Sequence, residues 1–234
     1  MYDSPPIAET FLQISDLTLN VDGRRLIDVS SLSLSKTGIT AIMGPNGAGK
    51  SLLLRLIHGM KTPTSGTITL TPARRTHALV LQTPVLLRRS VEANLRFVLK
   101  SRGLSCERVP QLLKRVQLEH CRRSAARRLS GGECQRLAIA QALAMEPDVL
   151  LLDEPTASLD PSATHLIEET LRQIAAEGVR VVLVSHDIHQ GRRLARDVVF
   201  LADGSVCEHT ASQAFFDQPK TEIARAYLAG RLFA

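Results

Sequence analysis

Eight residues, Gly44-Pro45-Asn46-Gly47-Ala48-Gly49-Lys50-Ser51, carry the spacing G-x-x-x-x-G-K-S. An apolar run precedes them at 38–43, and Leu52-Leu53-Leu54-Arg55-Leu56-Ile57 follows with a helical pattern. Strand, glycine-rich loop and helix form the context in which this spacing binds phosphate. Glycines let the backbone turn tightly and come close to an anion. The first N–H groups of the helix then point at the phosphates, and the helix dipole favours their charge. Lys50 is expected to reach the β- and γ-phosphates, and Ser51 to place its hydroxyl on Mg²⁺.

A second chemical group stands at the end of another apolar run. Residues 149–152 are Val-Leu-Leu-Leu, and Asp153-Glu154-Pro155 follows. Asp153 is placed to hold Mg²⁺, directly or through water. Glu154, one residue on, is placed to polarise a water aimed at the γ-phosphate. Gln82 and His186 also follow apolar runs. Alone, a glutamine or histidine near a strand end is more often structural. By position, Gln82 is expected to ligand Mg²⁺ through its amide oxygen, and His186 to bond the γ-phosphate and orient the water. Ser130-Gly131-Gly132 opens a further helix and forms a second anion-binding helix start. A chain with one nucleotide site does not need two. A head-to-tail dimer does, each copy's second element capping the nucleotide held by its partner.

The elements that must position these residues alternate. Residues 11–21 alternate apolar and polar, Asp22-Gly23 reads as a turn, and 26–35 alternate again, so the opening reads as an antiparallel hairpin. Gly59 and Thr62-Pro63-Thr64-Ser65-Gly66 end the first helix, and short strands follow at 67–70 and 77–81. A helical pattern runs from Ser90 to about Val116 with breaks at Gly103 and Ser105. Another opens at residue 129 and is closed by Pro147. Strand 149–152, a helix over 162–176, strand 179–185, a short helix, strand 198–201, the turn Asp203-Gly204 and an edge strand from Val206 complete the order, before a helical tail. Such alternation implies a mainly parallel sheet wrapped by helices. Ligands of such sheets sit at the carboxyl ends of the strands. Lys50, Gln82, Asp153 and His186 all lie just past such ends.

With 234 residues the chain suits one α/β domain with a small inserted lobe. No uninterrupted apolar run is long enough to span a bilayer, and residues 1–6 lack the basic and apolar regions of a secretory signal. Both point to the cytoplasm. Cys106, Cys121, Cys134 and Cys207 have no C-x-x-C spacing and read as free thiols rather than as a disulfide framework or zinc site. The net charge is +6, and much of the basic excess falls between Arg88 and Arg128, where only Glu92, Glu107 and Glu119 oppose it. That stretch reads as a solvated helical face or as a surface beside anionic headgroups. A nucleic-acid platform calls for interleaved aromatics, and Phe97 is the only one there, so no nucleic-acid partner is expected.

Six motifs together make the chain resemble the nucleotide-binding subunit of an ATP-binding cassette (ABC) transporter, from about residue 11 to 230. The Walker A loop is 44–51 and the Q-loop glutamine is Gln82. The signature LSGGQ appears as Leu129-Ser130-Gly131-Gly132-Glu133, and Walker B with its glutamate as 149–154. Ser158-Leu159-Asp160 matches the D-loop, and His186 the switch histidine. The resemblance implies a P-loop NTPase of the ABC type: a mainly parallel core with an antiparallel β subdomain and an inserted α-helical subdomain. It implies one nucleotide-binding domain over 1–234, with core segments 11–81 and 148–210, a helical subdomain over 83–145 and C-terminal helices over 211–234.

The cofactors implied are ATP and Mg²⁺. Residues Gly44, Pro45, Asn46, Gly47, Ala48, Gly49, Lys50, Ser51 and Leu52, with Gln82, Ser130, Gly131, Gly132, Glu133 and Asp160, would contact the nucleotide. Ser51, Gln82 and Asp153 would hold the metal, and Glu154, His186 and Lys50 would carry hydrolysis. Two cassettes would close on two ATP molecules, Asp160 linking the sites, and would drive a transmembrane permease from the inner face of the cell membrane.

Two departures from the family pattern stand out. An aromatic residue that stacks on adenine is usual near position 21, where this chain has Val21. Val21 cannot stack, so weaker nucleotide affinity or looser base selectivity is expected unless Phe11 or Tyr2 substitutes. Glu133 replaces the usual glutamine and adds negative charge near a bound phosphate. The segment Thr83-Pro84-Val85-Leu86-Leu87-Arg88-Arg89-Ser90-Val91, leading to Asn94-Leu95, resembles that of bacterial oxyanion importers. The tungstate type is the nearest, with phosphate and molybdate relatives behind, and it implies a periplasmic or lipoprotein anion-binding protein as a further partner. Cassettes of exporters or lipid-extraction complexes, and soluble ABC ATPases of nucleic-acid metabolism, are the alternatives. The last usually carry coiled-coil insertions or tandem cassettes, and this chain has neither.

Overall fold

The computed structural model describes residues 10–71 and 76–231. In chain order its elements are β1 (Thr10–Val21), β2 (Arg24–Ser35), β3 (Ile39–Met43), α1 (Lys50–His58), β4 (Ser65–Leu70), β5 (His77–Val80), α2 (Val91–Ser101), α3 (Val109–Arg115), α4 (Gly131–Leu143), β6 (Val149–Asp153), α5 (Pro161–Ala176), β7 (Arg180–Val184), α6 (Ile188–Leu194), β8 (Asp197–Ala202), β9 (Ser205–Ala211), α7 (Ser212–Asp217) and α8 (Glu222–Leu228). The fold is α/β. The described residues fall into two compact units, one up to residue 71 and from Arg180 onward, the other Thr76–Val179.

In the first unit, β2, β1 and β4 form an antiparallel sheet in that order. Leu12, Ile14, Leu17 and Leu19 of β1 are buried, as a half-buried strand of period two requires. In the same unit β7, β3 and β8 pair in parallel, and β9 closes the edge antiparallel to β8. Every residue of β3, β7 and β8 is buried, the pattern of strands covered on both faces. Arg180 is fully buried at the start of β7, with a guanidinium nitrogen 3.8 Å from Asp197 and another donating to the Thr37 carbonyl. Burial of a charge is tolerable only with such partners. Phe200 packs against Phe215 at 5.5 Å and Tyr227 at 5.2 Å, which seats the C-terminal helices.

In the second unit β5 and β6 pair in parallel, His77 opposite Val149 through Val80 opposite Leu152. The helical pattern over 90–116 resolves into α2, a 3₁₀ turn at Cys106–Arg108, and α3. Arg136 of α4 donates to the carbonyls of Val116 and Gln117 at 2.8 and 2.9 Å, satisfying the end of α3. Helix α4 stops at Leu143, short of Pro147. Glu146 takes a left-handed φ of 50° and its carbonyl accepts from the Thr76 hydroxyl at 3.1 Å, so the chain has already turned when the proline arrives. Among the described residues no helix is long and apolar enough to cross a membrane.

Candidate nucleotide site

The first unit carries the glycine-rich loop. Gly44 follows β3 with φ 147°, and a Cβ there would stand 1.9 Å from the Leu201 carbonyl oxygen. Gly49 has φ 95°, and its Cβ would meet Ile27 at 2.7 Å. The loop is thus pressed onto β2 and the end of β8 at points where only glycine fits. The Gly204 amide donates to the Ala48 carbonyl at 3.1 Å and fixes it further. Gly47, with φ 81°, faces open space.

Lys50 is buried, its ammonium donating to the carbonyls of Gly44 and Pro45 at 2.8 Å each. The charge therefore sits inside the loop's curve. Side chains of Ser90, Ser130, Asp160, Asp187 and Thr221 cap α2, α4, α5, α6 and α8. Helix α1 has no side-chain cap and no acidic residue in its first turn. Its amide end and Lys50 together suit a phosphate chain. Ser51 and Leu52 are half-buried in that turn. His186 lies past β7, exposed, and shares with Gly44, Pro45, Asn46 and Tyr227 the wall of a cleft of about 400 Å³. The Tyr227 hydroxyl donates to the His186 carbonyl at 3.3 Å. Tyr227 was not singled out by sequence, since nothing in the helical tail marks it.

In the second unit, Asp153 is buried at the end of β6. Glu154 follows with a left-handed φ of 47°, and the Gln82 amide nitrogen donates to its carboxylate at 3.1 Å. The register of β5 and β6 carries Gln82 and Glu154 past the strand ends side by side. Ser130 and Glu133 close a capping box: the Glu133 amide donates to the Ser130 hydroxyl at 3.3 Å, and the Ser130 amide donates to the Glu133 carboxylate at 2.9 Å. The Ser130 amide, above all, holds the Glu133 carboxyl below the usual carboxylate range. Gly131 and Gly132 lie against Leu159 and Ala163, where a Cβ on Gly132 would come within 2.6 Å of Ala163. Asp160 caps α5 through the Ala163 amide at 2.9 Å. The second unit therefore brings Ser130, Gly131, Gly132, Glu133 and Asp160 together, and Gln82 with Glu154.

A family model described as ABC transporter matches residues 27–157. The chain belongs to the ABC transporter family. It is an ATP-binding subunit of that family and hydrolyses ATP. Among relatives of this ABC subunit, the "Tungstate uptake system ATP-binding protein TupC" of Peptoclostridium acidaminophilum is 37% identical over 84% of this chain and 97% of its own. The "Phosphate import ATP-binding protein PstB 2" of Natronomonas pharaonis is 35% identical over 97% of this chain and 89% of its own. The solved structure of cbiO1 from Clostridium perfringens, part of the ABC transporter complex cbiONQ, superposes with a TM-score of 0.81 at 29% identity, covering 90% of this chain and 92% of that one.

Of the two aromatics that could stand in for a stacking residue near Val21, one is ruled out. Phe11 is fully buried with Arg180 5.5 Å from its ring centroid, so it cannot stack on a base. Tyr2, the other candidate, lies outside the described residues. Val21, 39% exposed at the tip of the hairpin, offers no aromatic face.

Proposed function

We propose that this chain powers import of a tetrahedral oxyanion, tungstate foremost, as the ATP-hydrolysing subunit paired with a transmembrane permease. The observation that carries this reading is the segment Thr83–Val91 together with the tungstate relative, which aligns along nearly its whole length. Phosphate is the second reading, favoured by a phosphate-import relative that spans almost all of this chain. Permease docking would use the exposed segment after Gln82, where Val85 is 82% exposed. The subunit would work at the cytoplasmic face of the membrane, supplied by a periplasmic or lipoprotein anion-binding protein.

In this reading residues 44–51 and Leu52 cradle ATP, with Lys50 on its terminal phosphates. Ser51, Gln82 and Asp153 would hold Mg²⁺, which would offset charge on the phosphates. Glu154 takes the proton of the attacking water, and His186 orients that water. Two copies face head to tail. Ser130, Gly131, Gly132 and Glu133 of one meet the nucleotide of the other, and Asp160 couples the two. Glu133 contributes by holding Ser130 in place.

The test is uptake of tungstate, molybdate and phosphate, measured by elemental analysis of cells lacking this gene. Loss of uptake of one oxyanion, restored by the wild-type gene but not by a Glu154→Gln copy, supports the reading and names the cargo. Unchanged uptake of all three removes it.

A further inference from the structure

We propose that His120, Cys121 and Glu133 form a binding site for a thiophilic divalent cation of the zinc class. His120 and Cys121 lie on the 3₁₀ turn Glu119–Cys121, and Glu133 in the first turn of α4. One imidazole nitrogen, one thiol sulfur and one carboxylate oxygen lie within 4.8 Å of one another. The chain spacing between them carries no metal-ligand signature, so the cluster exists only in the fold. All four cysteines are free thiols in the structure, as expected, and one of them, Cys121, gains a ligand role in this proposal.

The geometry is close to what zinc needs. His120 Nε2 and Glu133 Oε1 are 3.1 Å apart. At bond lengths of about 2.1 Å, two ligands of a tetrahedral ion stand roughly 3.4 Å from each other, and a thiolate roughly 3.6 Å from either. The imidazole and carboxylate, now hydrogen-bonded to each other, need to part by about 0.3 Å, and the sulfur needs to move in by about an ångström. The two carboxylate oxygens divide the work. Oε2 accepts from the Ser130 amide and hydroxyl at 2.9 and 3.0 Å, which leaves Oε1 as the metal ligand and keeps the capping box intact. That hydrogen bonding orients the ligating carboxylate from behind. His120 is 64% exposed on its side chain, so entry is open and water can take the fourth position.

The ligand set selects the ion. Sulfur and imidazole suit zinc and its soft neighbours, whereas Mg²⁺ and Ca²⁺ take oxygen ligands. Ionised Glu133, thiolate and neutral imidazole together carry two negative charges, which match a divalent cation. Burial, and then the Glu133 charge, push the Cys121 thiol up, so binding must expel its proton to solvent. Affinity should therefore rise with pH. Occupancy would pin the 3₁₀ turn to the start of the helix that bears Ser130, Gly131 and Gly132.

The experiment titrates the full chain, free of nucleotide, with Co²⁺ followed by absorption, and with Zn²⁺ against a chromophoric chelator. One Co²⁺ per chain is expected, with a thiolate charge-transfer band, displaced by Zn²⁺ and not by excess Mg²⁺. Loss of even an outer partner costs about 10–100-fold in metal affinity, so His120→Ala should weaken Zn²⁺ binding by at least that much. Cys121→Ser should abolish the band, and Cys134→Ser should leave it unchanged. No saturable Zn²⁺ binding, wild-type affinity in His120→Ala, or a band that survives in Cys121→Ser would each overturn the proposal. His120→Ala alters an exposed residue, so the test stands even where Cys121→Ser fails to fold. Because no nucleotide is present, failure here leaves the ATP site untouched.

Discussion

Gln82 donates its amide hydrogen to the Glu154 carboxylate across 3.1 Å. Both residues stand two positions past a paired couple of parallel strand residues, Val80 and Leu152, so the contact follows from strand register. It steadies the carboxylate just past the strand end. Positioned acid–base groups contribute about 10²–10⁴-fold in rate, and Glu154→Gln should cost turnover on that scale while ATP binding persists. Size-exclusion chromatography with ATP should then show an ATP-bound dimer. A variant that hydrolyses ATP at the wild-type rate would remove Glu154 as the base.

Lys50 holds the loop from inside through the Gly44 and Pro45 carbonyls. Lys50→Ala removes this internal tie and, in the proposed reading, the cation facing the phosphates. Fluorescent-nucleotide titration should show affinity reduced by at least about tenfold, since hydrogen bonds to charged groups are worth roughly 1.5–3 kcal/mol. Unchanged affinity would separate Lys50 from the phosphates. Gly44→Ala reaches the same loop by sterics, and should destabilise the fold by more than about 1 kcal/mol in urea unfolding because its left-handed φ and the Leu201 carbonyl both exclude a side chain.

Elements with a strong local signature were legible in the sequence. The period-two runs became β1 and β2, the all-apolar runs became β6, β7 and β8, and the G-x-x-x-x-G-K-S loop led into α1. Glycine positions were legible for the same reason, since left-handed backbone at Gly47 and Gly49 leaves few other residues possible. What stayed hidden depends on pairs far apart in the chain. Sequence counted Glu92, Glu107 and Glu119 against the basic stretch, but Arg108 pairs with Glu146 at 2.8 Å and Arg115 with Glu177, both acids from outside it. Phe11 stood open as a substitute for the stacking aromatic and is instead buried beneath Arg180. His120 meets Glu133 only because the 3₁₀ turn folds back on α4.

Val21 tests the base contact directly. With Phe11 buried, Val21→Tyr at the exposed hairpin tip should supply the missing ring. Stacking of a base on an aromatic is worth roughly 1–3 kcal/mol, so ATP affinity should rise by about fivefold or more. Calorimetric titration with ATP and GTP would also report whether selectivity between bases sharpens. Equal affinities for the variant and the wild type would show that position 21 does not face the base.

Glu92 supplies a pH-dependent tie within the second unit. Its carboxylate accepts from Arg122 at 2.7 and 2.9 Å and from Arg96 at 2.7 Å, and hydrogen bonds from Arg122, then from Arg96, hold its pKa at about 2. The folded value lies below the ordinary 4.5, so the contribution to stability is fully present above that pH. It is lost as pH falls towards about 2, where the carboxyl is protonated in both states. Glu92→Gln should therefore lower the urea midpoint at pH 7, and the difference from wild type should shrink as pH falls below 4.5. The two arginines are partly exposed, so added salt should shrink it as well. A difference that stays constant across this pH range would mean that Glu92 acts through packing and not through its charge.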